Sequence, residues 1–236
     1  MASVRRIPQA TVARLPLYLR ALEEFAAERA STISSEALAA RAGVNAAQVR
    51  KDLSYLGSYG TRGVGYDVAY LVHEINRQLG LGEARRVAIV GAGRLGQALG
   101  GYGGLPARGF RVVAAFDNDS EKVGAPLGSV QVSPVSQMAE VISGERVAIA
   151  IVTTPASAAQ MVVDAATAAG VKSILNFAPT TVSVPAGVAL RQVDLGIELQ
   201  ILSFYQEHEA ASKISPPVAG GALPGTVPGA AASIAG

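Results

Sequence analysis

The chain has 236 residues, half of them hydrophobic, with a net charge of +2, two histidines and no cysteine. That length allows two modest domains, each with its own core, while the missing thiols exclude disulfides, thiolate metal sites and a cysteine redox switch. With His73 and His208 as the only imidazoles a histidine-rich metal site is excluded too.

The longest uncharged run in the body, Val147 to Val163, is interrupted by Thr153, Thr154 and Pro155. It predicts a buried strand, a turn and the start of a helix, not a membrane span. Arg5 and Arg6 are followed by no apolar signal core, so a cytoplasmic protein with neither membrane nor metal partner is expected. Residues 1–80 hold ten Lys and Arg against seven Asp and Glu, a surplus of +3, and the remainder is −1. The basic surplus therefore sits in the first third, but it is too small to argue for nucleic acid alone.

Residues 11–29 put Leu15, Tyr18, Leu19, Leu22 and Phe25 on one face of a helix, with Pro16 in its first turn or at a kink. Ser31-Thr32 leads to a second helix, N-capped by Ser34, with Glu36 in its first turn and Gly43 as its stop. After Val44, Asn45 caps a third helix that buries Val49, Leu53 and Leu56. Two short helices about a glycine turn form a helix-turn-helix pattern. The outward face of the third helix carries Gln48, Arg50, Lys51, Ser54 and Tyr55, long hydrogen-bonding side chains suited to base edges and phosphates, or to an ordinary solvated face.

The run from Gly57 to Tyr66 reads as a glycine-rich hairpin with Arg62 at its tip. A hairpin directly after such a helix is a wing, and arginine there suits a narrow minor groove, although it also suits a plain loop tip. A linking helix follows over residues 67–80, with His73 on its surface or in its packing.

From Arg86 the period changes. Val87 to Val90 is continuously apolar, as a strand covered on both faces should be, and it runs into Gly91-Ala92-Gly93-Arg94-Leu95-Gly96 and a helical segment. A strand over Val112–Phe116 ends at Asp117, and further strands are predicted at Val147–Val152, Lys172–Phe177 and Val188–Val193, with a helix over Ala156–Ala169. Alternating strands and helices predict a doubly wound Rossmann sheet.

The GxGxxG here has its required context of strand before and helix after. Gly91 serves the tight turn, Gly93 lets backbone approach a pyrophosphate, and Gly96 lets helix and sheet pack closely. Asp117 lies 21 residues past the last glycine, where a carboxylate accepts both adenine-ribose hydroxyls and repels a 2′-phosphate. NADH or NAD+ is the expected ligand, with coenzyme A as the rival. The nearby ionisable side chains are Arg94, Tyr102 and Arg108, which supply neither a general acid–base pair nor a substrate domain, so sensing is favoured over turnover.

After Asp194, the residues Leu195, Ile197, Leu199, Ile201, Leu202, Phe204 and Tyr205 leave a helix with almost no polar face. It must be buried all round, either by a partner chain in a homodimer that exchanges it or by a third layer of the same chain. The uncharged Pro/Gly/Ala tail from Ser215 is expected to be disordered. The expected organisation is 1–80 winged helix-turn-helix with linking helix, 81–193 Rossmann domain, 194–210 dimerisation helix and 211–236 tail.

The segments SSEALAARAGVNAAQVRKDLSYLGSYGTRGVGY, VAIVGAGRLGQAL, SILNFAP and VDLGIELQILSF resemble the Rex family of redox-sensing transcriptional repressors, in its actinobacterial form, over roughly residues 5–206. The resemblance implies a homodimer that binds palindromic operator DNA when NADH is scarce and leaves it when NADH binds. It implies that Tyr102 lies near the nicotinamide and that Asp194 reaches across the dimer. Arg20 matches the arginine that communicates with that aspartate, and Leu195 stands where some members carry phenylalanine. Asp194 is the expected latch, pairing with the partner's Tyr102 in one state and with Arg20 in the other, unless it only caps its helix. An oxidoreductase merely dimerised by its N-terminal domain is the alternative.

Overall fold

The computed structural model describes residues 7–57, 60–61 and 63–208, which divide after Gly80 into two compact units. Ser58, Tyr59, Arg62 and the tail lie outside the described residues, and with them the wing-tip arginine and the expectation of a disordered terminus.

The N-terminal unit begins with α1 (Gln9–Ala27), which buries Leu15, Tyr18, Leu19, Ala21 and Leu22. Pro16 is the eighth residue of this helix and not in its first turn. It lies on the exposed side, next to exposed Val12, so the N–H it lacks is missing from the solvent-facing side of the helix. The chain continues through β1 (Thr32–Ile33), α2 (Ser35–Ala42), α3 (Ala46–Tyr55), β2 (Tyr66–Asp67) and α4 (Val68–Leu79).

The expected caps at Ser34, Gly43 and Asn45 are all present. Ser34 accepts from Ala37 N at 3.1 Å, and Asn45 accepts from Gln48 N at 2.8 Å. Gly43 closes α2 in the left-handed region at φ 69°, and Asp67 and Gly80 close the two ends of α4. Ser31-Thr32 is more than a lead-in to α2: Thr32 and Ile33 pair antiparallel with Asp67 and Tyr66. This two-residue ladder anchors the wing, whose hairpin closes where Thr61 bridges Gly65. Gly65 has φ +100°, and a Cβ there would run into the Ile33 carbonyl, so only glycine lets the hairpin lie against β1.

The C-terminal unit contains β3 (Arg85–Val90), α5 (Arg94–Gly100), α6 (Gly104–Ala107), β4 (Phe110–Asp117), β5 (Pro126–Leu127), β6 (Val130–Pro134) and α7 (Met138–Gly144). It continues through β7 (Ile149–Val152), α8 (Ala156–Ala168), β8 (Ser173–Asn176), β9 (Ala189–Gln192) and α9 (Leu195–His208). The strands form one sheet in the order β5-β6-β4-β3-β7-β8-β9, parallel throughout except for β5. Without that edge strand, the order is the doubly wound 3-2-1-4-5-6, with β3 and β7 at the point where the winding reverses.

Alternate residues of β3 serve opposite faces. Ala88 and Val90 join Phe116, Met138, Val162 and Val163 in one core, whereas Val87 and Ile89 join Ala115, Leu127, Val132 and Ile151 in the other. The predicted strands at 147–152, 172–177 and 188–193 are each one or two residues shorter at their ends. β5, β6 and α7 add elements that the periodicity does not announce.

α9 has no buried residue. Leu195, Ile197, Leu199, Ile201, Leu202 and Phe204 are between 44% and 66% exposed, so no third layer of described residues covers the helix.

Candidate functional site

The first candidate surface is the exposed face of α3. Lys51 is exposed and makes no ion pair with a described residue. The other expected contact residues are partly committed within the domain. Arg50 donates from Nη1 to Ser35 Oγ at 2.7 Å and Glu36 Oε1 at 2.9 Å, which ties it to α2. Ser54 Oγ donates to the Lys51 carbonyl at 2.7 Å, and Tyr55 is half-buried. Gln48 is turned toward Asp52, donating from Nε2 to Oδ1 at 2.9 Å. These bonds hold the side chains flanking Lys51 in fixed positions.

Asp52 is the residue that pattern reading overlooks. It is wholly buried and receives, besides Gln48, Thr11 Oγ1, Tyr18 OH and a two-pronged bond from Arg14. Burial pushes its carboxyl up, but the donors from Arg14, Tyr18, Thr11 and Gln48 outweigh that and hold it below the ordinary carboxylate value. Burial and the hydrogen bond to Asp52 push the Tyr18 phenol well up. The visible signal was an acid on the same helical stripe as Val49, Leu53 and Leu56.

The second candidate site lies at the carboxyl ends of β3 and β7. Gly91 has φ +107° and hangs between strands: its N–H donates to Phe116 O at 2.8 Å, and its carbonyl accepts from Thr153 Oγ1 at 2.7 Å. A Cβ at Gly91 would meet the Thr153 carbonyl at 2.8 Å, and one at Gly96 would strike the Gly91 carbonyl. Around Gly93, by contrast, a Cβ would meet nothing within 4 Å. The first and third glycines therefore serve packing, and the second leaves an open approach to backbone, as a pyrophosphate requires. Ala92 is buried, whereas Arg94 and Leu95 are exposed at the start of α5.

Asp117 ends β4 beside this loop. Its Oδ2 accepts from Ala92 N at 2.7 Å, and its Oδ1 accepts from Asp119 N at 2.9 Å. Burial pushes its carboxyl up, while these backbone donors and nearby Lys122 bring the net value below the ordinary one. The carboxylate is thus ionised, buttresses the glycine loop, and retains lone pairs for a diol. Lys122 Nζ is 3.5 Å from Oδ2, so discrimination against a 2′-phosphate rests on the placement of Asp117 and not on net local charge.

Two further side chains organise the loops after β8 and β9. Asn176, wholly buried at the end of β8, donates from Nδ2 to Thr180 O at 3.1 Å and Gln192 Oε1 at 2.8 Å, and accepts from Ala178 N at 3.0 Å. It fixes the Phe177–Thr180 loop and ties it to the end of β9. Beyond β9, Asp194 Oδ1 accepts from Gly196 N at 2.8 Å and Ile197 N at 3.3 Å, capping α9. Tyr102 is 54% exposed and makes no hydrogen bond to Asp194 within the chain. Arg20, in the other unit, is exposed and pairs with Glu24 at 3.5 Å. Among the described residues, no cluster of three or more His, Cys, Asp or Glu is placed to hold a metal, and no helix is long and apolar enough to cross a membrane.

Comparison with known proteins joins the two sites. Residues 6–54 match the family described as "Putative DNA-binding protein N-terminus", and residues 83–180 match the "CoA binding domain". The redox-sensing transcriptional repressor Rex of Streptomyces avermitilis is 55% identical over 220 residues, which is 93% of this chain and 86% of that protein. Rex of Streptomyces coelicolor is 56% identical, covering 91% of this chain and 85% of its own length. The chain belongs to the Rex family of redox-sensing transcriptional repressors.

The Rex likeness extends to solved structures. RSP, a Rex-family repressor, has been crystallised in complex with beta-NAD+ and operator DNA; that structure is 35% identical, with a TM-score of 0.81, covering 86% of this chain and 94% of its own. RSP in complex with beta-NADH is 34% identical with a TM-score of 0.77, covering 87% and 96%. Both Rex comparisons span the helix-turn-helix and the Rossmann sheet together, as the resemblance read from the residues implies.

Proposed function

We propose that this chain is a transcriptional repressor that senses the balance of NADH and NAD+, binding palindromic operator DNA when NADH is low and leaving it when NADH binds. The observation that carries the reading is the joint presence of an exposed, pre-arranged recognition face on α3 and a glycine cradle open only at Gly93. RSP, similar along nearly its whole length, is known with operator DNA and with each dinucleotide. The protein works in the cytoplasm, as a homodimer, and turns over no substrate.

The loop Gly91, Ala92, Gly93, Arg94, Leu95 and Gly96 cradles the pyrophosphate: Gly91 and Ala92, whose N–H groups are taken by Phe116 and Asp117, shape the turn, the N–H groups from Gly93 into the first turn of α5 face the phosphates, and Asp117 accepts from the adenine ribose. Tyr102 faces the nicotinamide. The bound dinucleotide supplies a ring that is cationic when oxidised and neutral when reduced. A closed, apolar surface around Tyr102 disfavours burial of the charged ring by desolvation, so the closed dimer selects the reduced form. α9 exchanges between subunits, which covers its exposed leucines and isoleucines. Asp194 at its head pairs with the partner's Tyr102 in one state and with Arg20 in the other, altering the spacing of the two recognition helices. Gln48, Arg50, Lys51, Ser54, Tyr55 and the wing-tip Arg62 form the DNA contact set.

A shift of the population from mostly DNA-competent to mostly closed requires a differential affinity of about 5 kcal/mol. By linkage, operator DNA weakens NADH binding by the factor that NADH weakens DNA binding. Operator binding titrated with NADH and with NAD+ in parallel tests the reading: NADH releases DNA and NAD+ does not. Equal effects of the two, or oxidation of NADH by an added substrate, would favour an oxidoreductase instead. Asp194→Ala and Arg20→Ala are expected to bind both ligands while losing the coupling; wild-type coupling in either removes the latch but not the sensor.

A further inference from the structure

α1 carries an arginine that none of these assignments uses. Arg14 donates from Nε to Asp52 Oδ2 at 2.6 Å and from Nη2 to Oδ1 at 2.9 Å, so one edge of its guanidinium is bound to a wholly buried carboxylate. Its Nη1 makes no hydrogen bond to any described residue, and 22% of the side chain is exposed. Neutral donors from Thr11, Tyr18 and Gln48 already meet much of what Asp52 accepts. A carboxylate offers about four lone-pair positions, and here it receives five bonds. Arg14 is the one cation among these donors, it reaches Asp52 with a single edge, and its outer edge is left over.

The location of that edge is informative. Asp52 also holds Gln48, the third residue of α3, so Arg14 stands beside the N-terminal turn of the helix. In a helix-turn-helix those first residues meet base edges while the preceding helix crosses the phosphate backbone. Arg50 is held from the α2 side of the same helix. The two clamped guanidiniums thus bracket exposed Lys51, and a helix lying in a major groove has a phosphate strand on either side. An arginine already fixed by a buried partner loses little further freedom on binding, and its planar fork matches phosphate oxygens.

We propose that Arg14, held in place by Asp52, is a phosphate-binding residue of the DNA-reading surface. The inference rests on the repressor reading above, and its test separates the two. The double variant Arg14→Gln/Asp52→Asn removes one positive and one negative charge, leaving net charge unchanged. With the full chain and an operator selected from a random duplex pool, affinity is measured across salt concentrations, with folding checked by circular dichroism and NADH binding. The slope of log affinity against log salt is expected to fall by about 0.9 per half-site. Affinity for an unrelated duplex should fall by a similar factor.

A folded double variant with the original slope would overturn the proposal, because a purely structural pair of zero net charge leaves that slope alone. Where the double variant does not fold, methylphosphonate substitution along the operator serves with the unaltered chain and Arg14→Lys. One phosphate per half-site should then be found whose neutralisation weakens the unaltered chain several-fold more than Arg14→Lys; equal losses at every position overturn it as well. An unaltered chain that selects no duplex at all would instead overturn the repressor reading.

Discussion

The N-terminal unit arranges the polar side chains of its α3 surface from the inside out: a buried carboxylate on α3 grips Gln48 and Arg14, and α2 grips Arg50. The C-terminal unit builds its site from backbone. Gly91 is braced by Phe116 and Thr153, Gly96 packs under the Gly91 carbonyl, and the carboxylate beside the loop, Asp117, spends an oxygen on holding Ala92 N. A duplex must be read by its base edges, so side chains have to differ and be aimed. A pyrophosphate is the same in every molecule of ligand, and uniform N–H groups suffice.

The sharpest way to break the backbone site is a single methyl group. Gly96→Ala drives a Cβ into the Gly91 carbonyl, and backbone cannot swing aside as a side chain can. The penalty should exceed the ~1–3 kcal/mol of ordinary overpacking, lowering NADH affinity ~100-fold or more. Calorimetry with NADH reads this, while operator binding without dinucleotide should survive. An undiminished NADH affinity would mean that the ligand does not use the loop.

The side-chain site should fail by losing its hub. Asp52→Ala leaves Arg14, Tyr18, Thr11 and Gln48 without their acceptor, and is expected to destabilise the N-terminal unit by about 3–5 kcal/mol. Hydrogen exchange in α1 and α3 would report the loss, with β3 and β7 unaffected. The same carboxyl gives a pH test. Its value is lowered in the folded state, so its stabilising contribution is complete above the unfolded value of about 3.9 and disappears as pH falls through the folded value. Exchange protection of α1 and α3 should therefore decline with acidification below about pH 4. Asp52→Asn should lack that component of the decline.

The smallest effect sharpens the division of labour at Asp117. Asp117→Ala removes both the diol acceptor and the brace on Ala92 and should lower NADH affinity by ~1–3 kcal/mol, narrowing the gap to NADPH. Asp117→Asn retains a carbonyl for Ala92 N and should recover part of the loss. If the two variants bind NADH equally weakly, the brace contributes nothing.

What was legible in the residues follows the range of the interactions. The caps at Ser34 and Asn45 act over three residues, and their partners lie within the same string of letters. The glycine spacing and the place of Asp117 at the end of β4 were legible because a strand–turn–helix motif sets both, and the structure puts the carboxylate against Ala92 N. Asp52 was not: its donors Thr11, Arg14 and Tyr18 lie 34 to 41 residues upstream, and an acid amid Val49 and Leu53 says only that some partner exists. β1 and β2 are two residues each, too short to show a period, and their pairing spans the whole helix-turn-helix. Asn176 likewise depends on Gln192, a residue on the next strand.

The bracing of the Gly91 loop by Phe116, Thr153 and Asp117 has a consequence for timing. A cradle that must first order itself around its ligand responds with a lag, whereas one already in shape exchanges as fast as its contacts break. Occupancy at this site should therefore follow each swing of the nucleotide pool, brief ones included. Whatever smoothing a promoter needs has to come later, from the slower parting of protein and DNA, so the lifetime of the operator complex, not that of the dinucleotide, decides how short a metabolic fluctuation the regulator ignores.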